Sequence, residues 1–236
     1  ASNIIIVGEA PAQNEISQGK CFVGATGNLL MEMLDNSGID KSKVYFTNAI
    51  KFMLGPKEDQ YGRKFSPQTR CERIGIKWED QVEFLSNEIQ ALNPNIIIAL
   101  GGTALQALCN TPFTSIKKWR GSVLLGMGHK VIPTFHPAGL FYQQESEEAA
   151  YWMKNIIEFD LARALKQSQF SEFQHPHRLL QICSSSYDLL NFLRDNENET
   201  ECAEDIEALK CVPVCTSLAF TKDRAISIPL WGVLES

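Results

Sequence analysis

Short apolar runs alternate with longer amphipathic segments along the first 167 residues. Continuous β-branched runs predict buried parallel strands at residues 3–7, 44–48, 96–100 and 130–135. Apolar residues spaced three and four positions apart predict helices between and after these strands, at residues 28–35, 67–92, 103–109 and 150–166. Strands that alternate with helices predict an α/β fold, a three-layer α/β/α sandwich around a mostly parallel four-stranded sheet.

The pattern changes after residue 167, where the first predicted domain, residues 1–167, ends. Residues 168–178 are polar and predict a linker. Residues 179–236 contain a predicted helix near 187–195 and strand-like runs, but they are too few to bury an independent core of ordinary size. We interpret them as a small incomplete C-terminal segment, either the start of a further domain or an appendage of the first.

Composition narrows the class of protein. The 236 residues are 44% hydrophobic, which excludes a disordered chain. No run is apolar enough to cross a membrane, and no signal peptide is recognisable at the first residues. Seven cysteines without a CxxC pair favour reduced thiols over a disulfide framework. We therefore expect a cytoplasmic protein with no membrane contact.

The negative charge lies in the C-terminal segment. The chain has 22 Lys and Arg against 28 Asp and Glu, a net charge of −6. Residues 1–167 contain 17 basic and 17 acidic side chains, whereas residues 168–236 contain 5 basic and 11 acidic ones. A nucleic-acid site in the first domain must therefore be a local basic patch.

Chemically distinctive groups follow the predicted strands. Gly8 and a glycine-rich stretch follow the first strand, Asn48 ends the second, and His136 follows the fourth. Glycine-rich turns let backbone amides approach a ligand, an Asn reads a base edge, an aromatic ring such as Phe22 stacks on a base, and a His stabilises a departing oxyanion. Together, at one edge of the sheet, they predict a pocket for a planar polar ring beside a phosphate backbone. Singly, each has a plainer explanation as a turn, core or hydrogen-bonded structural residue.

Five motifs in order resemble the uracil-DNA glycosylase superfamily, closest to its family 4. That family's pattern runs GEAPG-x-x-E, G-x-PFVG-x-AG-x-LL, TN, ALG and T-x-HPS. The matching stretches are Gly8–Glu15, Gly19–Leu30, Thr47–Asn48, Ala99–Gly101 and Thr134–Ala138. The likeness covers residues 3–166. It implies an enzyme that hydrolyses the N-glycosidic bond of uracil, or of a close 5-substituted uracil, in DNA and leaves an abasic site.

The resemblance also implies a role for each matching side chain. Phe22 would stack on a flipped uracil, and Asn48 would hydrogen-bond to its N3 and O4 edge. His136 would stabilise the charge that develops on O2, and Glu9 would orient water or stabilise the cationic sugar. The other expected substrate-binding positions are Gly8, Ala10, Pro11 and Glu15.

Uracil-containing DNA, single- or double-stranded, is the partner that this activity implies. The candidate phosphate contacts are the basic side chains of Lys51, Lys57, Arg63, Lys64, Lys117, Lys118 and Arg120. Leu140 or Phe141 would wedge into the stack that the flipped base leaves. Ordinary loop packing is an equal alternative for these two residues.

Departures from the family pattern affect the expected cofactor. Family 4 enzymes hold an iron–sulfur cluster on four cysteines, two of them in an N-terminal CxxC. Here the first pair is absent, Phe52 stands at the third position, and Cys71 is the one match. Since one thiolate does not hold such a cluster, we expect none, and no other cofactor. Ala12, Cys21 and Thr26 replace a glycine, a proline and an alanine of the motifs.

The C-terminal segment resembles the opening of a 3′–5′ exonuclease domain. Asp205 and Glu207 match its D-x-E pair, which binds divalent metals when the domain is complete. This segment would hold metal only if a complete exonuclease domain followed, and a solvated acidic turn is an equal alternative. The likeness suggests the N-terminal part of a viral replication polymerase, located in the host cytoplasm, with replication proteins as further partners.

Two other functions stay open from the sequence. A degenerate glycosylase-like module that binds DNA or assembles with replication proteins would explain Ala12, Cys21, Thr26 and the negative charge. A mononucleotide-handling enzyme would use the glycine-rich turns, but the basic residue of a P-loop is missing.

Overall fold

The computed structural model describes residues 3–110, 115–143, 146–173, 179–209, 212–221 and 223–230. The chain divides into two compact units, Ala1–Phe173 and Gln174–Ser236. Residues 174–178 of the predicted linker lie outside the described residues. The domain boundaries inferred from the sequence stay a prediction.

A five-stranded sheet forms the centre of the first unit. Its strands are β1 (Ile4–Gly8), β2 (Val44–Asn48), β3 (Ile96–Leu100), β4 (Leu124–Gly126) and β5 (His129–Thr134). They lie in the order β2-β1-β3-β5-β4, and all neighbours are parallel except β4 and β5. The predicted α/β class with a mostly parallel sheet is confirmed. The predicted number of strands is wrong by one, because β4 is only three residues long and pairs through a tight turn at Met127 and Gly128, both with positive φ.

Helices cover both faces of this sheet. They are α1 (Gln13–Gln18), α2 (Ala25–Asn36), α3 (Pro67–Glu72), α4 (Trp78–Leu92), α5 (Gly102–Cys109), α6 (Ile116–Trp119) and α7 (Glu147–Gln167), with 3₁₀ turns at Lys41–Lys43 and Pro137–Gln143. The single helix predicted over residues 67–92 is wrong. The chain breaks between α3 and α4, where Gly75 adopts a left-handed φ of 76° that ends regular helix.

Alternate strand residues build a core on each face of the sheet. Ile4 and Ile6 pack with residues of α2 and α7, whereas Ile5 and Val7 pack with residues of α4 and α5. All four side chains are buried, and burial on both faces explains why these runs are continuously apolar. The carboxyl ends of four parallel strands therefore meet at one edge between the helical layers.

The second unit is a smaller mixed sheet with one helix. It contains β6 (Leu179–Ile182), α8 (Ser186–Asp195), β7 (Ala203–Leu209), β8 (Val212–Thr221) and β9 (Arg224–Pro229), with the strands in the order β6-β9-β8-β7. Its buried core consists of Cys183, Phe192, Ile226 and Ile228. Asp205 and Glu207 stand two residues apart on β7 and are exposed, so both carboxylates lie on one face.

In the part of the chain that the structure describes, no helix combines the length and the apolar character needed to cross a membrane.

Candidate functional site

The strand ends of the first unit bring the glycine, the asparagine and the aromatic ring together. Gly8 and Asn48 are direct partners at the ends of β1 and β2. A Cβ atom built on Gly8 would lie 2.4 Å from Asn48 Oδ1 and 2.8 Å from Phe22 Cζ. Only glycine leaves room for both groups, so the ring of Phe22 and the amide of Asn48 meet over Gly8.

The backbone around Phe22 is held in a strained conformation. Phe22 has a φ of 55°, which is rare for an aromatic residue. Its N–H donates to one carboxylate oxygen of Glu15, and the N–H of Ala12 donates to the other at 2.6 Å. A Cβ on Gly27 would lie 1.8 Å from the carbonyl oxygen of Phe22. Glu15, expected to contact the base, thus accepts hydrogen bonds from the backbone that presents Phe22.

Asn48 is almost completely buried, with 5% of its surface exposed. Its Nδ2 lies 3.7 Å from the Sγ of Cys21, the residue that replaces the family's proline. Pro11, Cys21 and Asn48 line a cleft of about 290 Å³. Ala10 packs instead against the core on the α4 and α5 side of the sheet.

Glu9 lies at the start of the loop after β1 and accepts hydrogen bonds at both carboxylate oxygens. Arg70 Nη1 donates to Oε1 at 2.6 Å, whereas Thr103 Oγ1 and Lys57 Nζ approach Oε2 at 2.9 Å and 3.1 Å. Burial alone would raise the pKa of Glu9, but the hydrogen bond from Arg70 and the charges of Lys57 and Arg70 outweigh it and lower the pKa below its ordinary value. Glu9 is therefore ionised at neutral pH.

His136 follows β5, beside the turn between β3 and α5. A Cβ on Gly101 would lie 3.4 Å from the Cβ of His136. The N–H of Ala138 donates to Nδ1 of His136 at 3.1 Å. Burial, together with the positive charge of Lys57, lowers the pKa of His136 to about 4. The ring is therefore neutral, and because Nδ1 accepts, its proton lies on Nε2.

The predicted catalytic residues thus fall into two groups along one edge. Phe22 and Asn48 meet over Gly8 at the ends of β1 and β2. His136 follows β5, which is separated from β1 by β3. Glu9 belongs with His136, because the charges of Glu9 and of its partner Lys57 both act on the pKa of His136.

Several predicted DNA contacts are engaged within the protein. Arg120 pairs with the fully buried Asp160, and Arg63 pairs with Asp59. Lys64, Lys117 and Lys118 are exposed, and the side chains of Lys57 and Arg63 are exposed as well although each pairs with a carboxylate. Lys51 likewise pairs with Glu88 at 2.6 Å.

The two candidate wedge residues differ in exposure. Leu140 packs against the core beneath α2 and α7. Phe141 has 41% of its surface exposed. The structure therefore makes Phe141 the better candidate to reach a neighbouring molecule.

Sequence analysis missed Arg70 and Thr103, the two residues that hold Glu9 in place. Arg70 lies inside the single helix predicted over residues 67–92, and no sequence pattern pairs it with Glu9, which is 61 residues away.

Comparison with known proteins identifies relatives of the first unit. The family model described as the uracil DNA glycosylase superfamily matches residues 1–161. A type-4 uracil-DNA glycosylase of Thermotoga maritima is 35% identical over 165 residues, which cover 69% of this chain and 76% of that protein. One from Archaeoglobus fulgidus is 34% identical over 62% of this chain and 71% of its own length. The resemblance seen in the motifs is confirmed.

A different relative covers both units. A DNA polymerase of Bacillus phage SP01 is 24% identical over 231 residues, which span 97% of this chain. The chain covers only 23% of that polymerase. The predicted likeness to a viral replication protein is thus found as well.

The expectation that the chain lacks an iron–sulfur cluster is wrong. The relatives are type-4 uracil-DNA glycosylases, and enzymes of this type carry such a cluster. The expectation relied on the missing N-terminal CxxC pair and on Phe52 at the third position, and where the given sequence begins says nothing about that pair. Of the expected ligands, the described residues supply Cys71, which is buried in α3. A four-cysteine cluster would therefore need three further ligands besides Cys71.

Proposed function

This chain belongs to the uracil-DNA glycosylase superfamily, and we propose that it hydrolyses the N-glycosidic bond of uracil, or of a close 5-substituted uracil, in DNA. The observation that carries the proposal is the meeting of Phe22 and Asn48 over Gly8. An aromatic ring and a carboxamide at one point suit a planar base with a donor and an acceptor on its edge. A base can reach Phe22 and Asn48 only after it has flipped out of the DNA helix.

His136 stabilises the leaving base in this mechanism. As the C1′–N1 bond breaks, its electron pair passes to the uracil ring and negative charge develops on O2. The neutral imidazole donates a hydrogen bond from Nε2 to this oxygen. A donor whose pKa is about 4 is not charged before the reaction, so its contribution increases with the charge on O2.

Glu9 acts on the sugar. The carboxylate is ionised and its pKa is lowered, so it is a poor proton acceptor and a good electrostatic partner. It stabilises the cationic, oxocarbenium-like sugar and orients the water that attacks C1′. The water oxygen bonds to C1′, and the proton that the water loses to solvent is balanced by the proton that the departing uracil anion takes up, so an abasic site and neutral uracil remain.

DNA binding in this proposal uses a local patch of cations and one wedge. Lys57, Lys64, Lys117 and Lys118 contact backbone phosphates, and Phe141 fills the gap left by the flipped base. Since the first 167 residues have equal numbers of acidic and basic side chains, the electrostatic attraction for DNA comes from this local patch and not from the net charge of the domain.

The relation to the phage polymerase supports a place in a replication polypeptide. It also favours a second candidate function, a DNA-binding or assembly module that has lost turnover. Of the motif departures, Cys21 precedes Phe22 and lies 3.7 Å from the amide of Asn48, and Ala12 shares the Glu15 carboxylate with Phe22. Lost turnover would originate at such positions.

An excision assay tests the proposal. We expect the protein to release uracil from a single-stranded oligonucleotide with one deoxyuridine, seen as strand scission after alkali. His136→Ala is expected to lower the rate about 100-fold, the effect of losing one oxyanion donor. Asn48→Ala removes the amide that hydrogen-bonds to the base edge, so it is expected to lower the rate to a similar extent. His129→Ala, a histidine on the opposite end of β5, is the control and keeps the rate.

The outcomes separate the two functions. Scission by the unaltered protein that falls sharply in both variants supports the enzyme. Binding of DNA without scission by the unaltered protein contradicts the enzyme and supports the module. Scission that survives in both variants contradicts the roles given to His136 and Asn48.

A further inference from the structure

Glu9 has two cationic partners that differ in burial. The side chain of Arg70 is 8% exposed and that of Lys57 is 73% exposed. Arg70 also donates from Nε and Nη2 to the carbonyl oxygen of Gly55, at 3.1 Å and 2.8 Å. Arg70 is therefore fixed by three hydrogen bonds in the interior, whereas Lys57 reaches Glu9 from the surface of the 54–66 loop.

The net charge of this cluster does not favour the stabilisation of a cationic sugar. One carboxylate faces two cations, so Glu9, Arg70 and Lys57 together carry a net charge of +1. A net positive cluster repels the cationic sugar that Glu9 is proposed to stabilise. If Lys57 leaves, the cluster becomes neutral, and Oε2 of Glu9 keeps only the hydroxyl of Thr103.

On the basis of the proposed function, we propose that Lys57 is an exchangeable counter-ion of Glu9. When DNA binds, a backbone phosphate takes Lys57 from Glu9, and Arg70 remains as the permanent partner. The exchange uncovers Oε2 towards the sugar only when a strand occupies the site. Lys57 is thus a positioning residue that couples phosphate binding to the charge available at the reacting carbon.

The physical properties of the two pairs favour this division. An ion pair with a solvent-exposed lysine contributes little and is readily exchanged. A DNA strand offers closely spaced phosphates, whose binding to lysine is further favoured by counter-ion release. Arg70 has no such route, because leaving Glu9 would strand a buried guanidinium and free the Gly55 carbonyl.

DNA binding tests the exchange without any need for catalysis. The ligand is a single strand of thymidines, and the proteins are the unaltered chain, Glu9→Gln, Lys57→Gln and the double variant. Glu9→Gln frees Lys57 beforehand, so we expect it to bind DNA about two- to fivefold more tightly. Lys57→Gln is expected to bind more weakly and to lower the slope of log affinity against log salt by about 0.7. The double variant is expected to bind DNA no more tightly than Lys57→Gln.

Glu58→Gln is the matched control, since Glu58 is an exposed acid next to Lys57. Its effect is expected to be the same with Lys57 or Gln at position 57. A gain from Glu9→Gln that persists in the Lys57→Gln background overturns the proposal, because it then reflects only the removal of a negative charge.

Two further measurements distinguish a failure of the proposed exchange from a loss of folding and from a lack of catalytic activity. Thermal unfolding checks that Glu9→Gln is folded. If it is not, the salt slope of Lys57→Gln decides alone, since this exposed substitution spares the core, and an unchanged slope overturns the exchange. Failure of the unaltered protein to excise uracil would contradict the proposed function, while these affinities on uracil-free DNA would still decide whether Lys57 is exchanged.

Discussion

His136 couples the chemistry of the site to the stability of the fold. The hydrogen bond from Ala138 to Nδ1 and the low pKa of about 4 both require a neutral ring in the folded protein. In the unfolded chain the same ring has an ordinary pKa of about 6.5. Between these two values the unfolded chain binds a proton that the folded protein does not.

This difference predicts a loss of stability in acid. As the pH falls from about 6.5 to about 4, the free energy of unfolding should decrease by about 3 kcal/mol on account of His136. The stability is fully present above the unfolded pKa and is lost as the pH approaches the folded one. Urea unfolding at several pH values should show this decrease in the unaltered protein and a smaller one in His136→Gln.

His129→Gln controls for removing a histidine elsewhere on β5. Equal pH dependence of the unaltered protein and His136→Gln would contradict the prediction.

Side-chain partners decide which of the predicted DNA contacts are available. Asp160 on α7 is completely buried and accepts hydrogen bonds from Arg120 Nε at 2.9 Å and Thr134 Oγ1 at 2.7 Å. These three residues join α7, β5 and the turn after α6. Arg120 is therefore part of the structure between elements, whereas its neighbour Lys118 is exposed.

Substitution of each cation should separate the two roles. Arg120→Gln leaves a buried carboxylate without its cation, so we expect the free energy of unfolding to fall by about 3 kcal/mol. Lys118→Gln, the same change of charge two residues away, should leave stability unchanged and weaken DNA binding. Urea unfolding and DNA titration measure the two effects. Full stability of Arg120→Gln with reduced DNA affinity would restore Arg120 as a phosphate contact.

The break between α3 and α4 has a consequence for the site. Arg70 lies on α3, which begins at Ser66 with a side-chain cap and contains Pro67 at its first turn. The periodicity of apolar residues continues across Gly75, so it does not reveal the break. The separate short helix carries the guanidinium that holds both Glu9 and the 54–66 loop.

The two units of the chain have separate cores. Phe192 is 2% exposed in the small core of the second unit, and Ile157 is fully buried in the first. Separate cores predict separate unfolding transitions, because the buried core residues of each unit pack against residues of the same unit.

Large-to-small substitutions test this independence. Phe192→Ala should destabilise the second unit by about 3–5 kcal/mol and leave uracil excision unchanged. Ile157→Ala should instead lower the transition of the first unit and reduce excision on warming. Calorimetry and the excision assay measure both. One transition that shifts equally in the two variants would contradict separate cores.

The local pattern of apolar and polar residues was enough to predict the alternating strands and helices that form the layers of this protein. Short, mainly apolar runs identify the four long parallel strands, because burial on both faces of a sheet favours apolar residues. The motifs after those strands identify Phe22, Gly8 and Asn48, whose meeting follows from the shared edge of parallel strands. Strand β4 is not predicted because three residues are too few to show a pattern. The break at Gly75 is not predicted because the apolar spacing continues across it.

Only the tertiary structure decided how the charges are paired. Glu9 meets Arg70 from 61 residues away, and Arg120 meets Asp160 from 40 residues away. Such pairs depend on which helix faces and loops pack together, and neither spacing nor propensity carries that information. Hence the chemical groups at the strand ends can be predicted from the sequence. Which cations pair with a carboxylate and which remain exposed to solvent depends on the packing of distant elements.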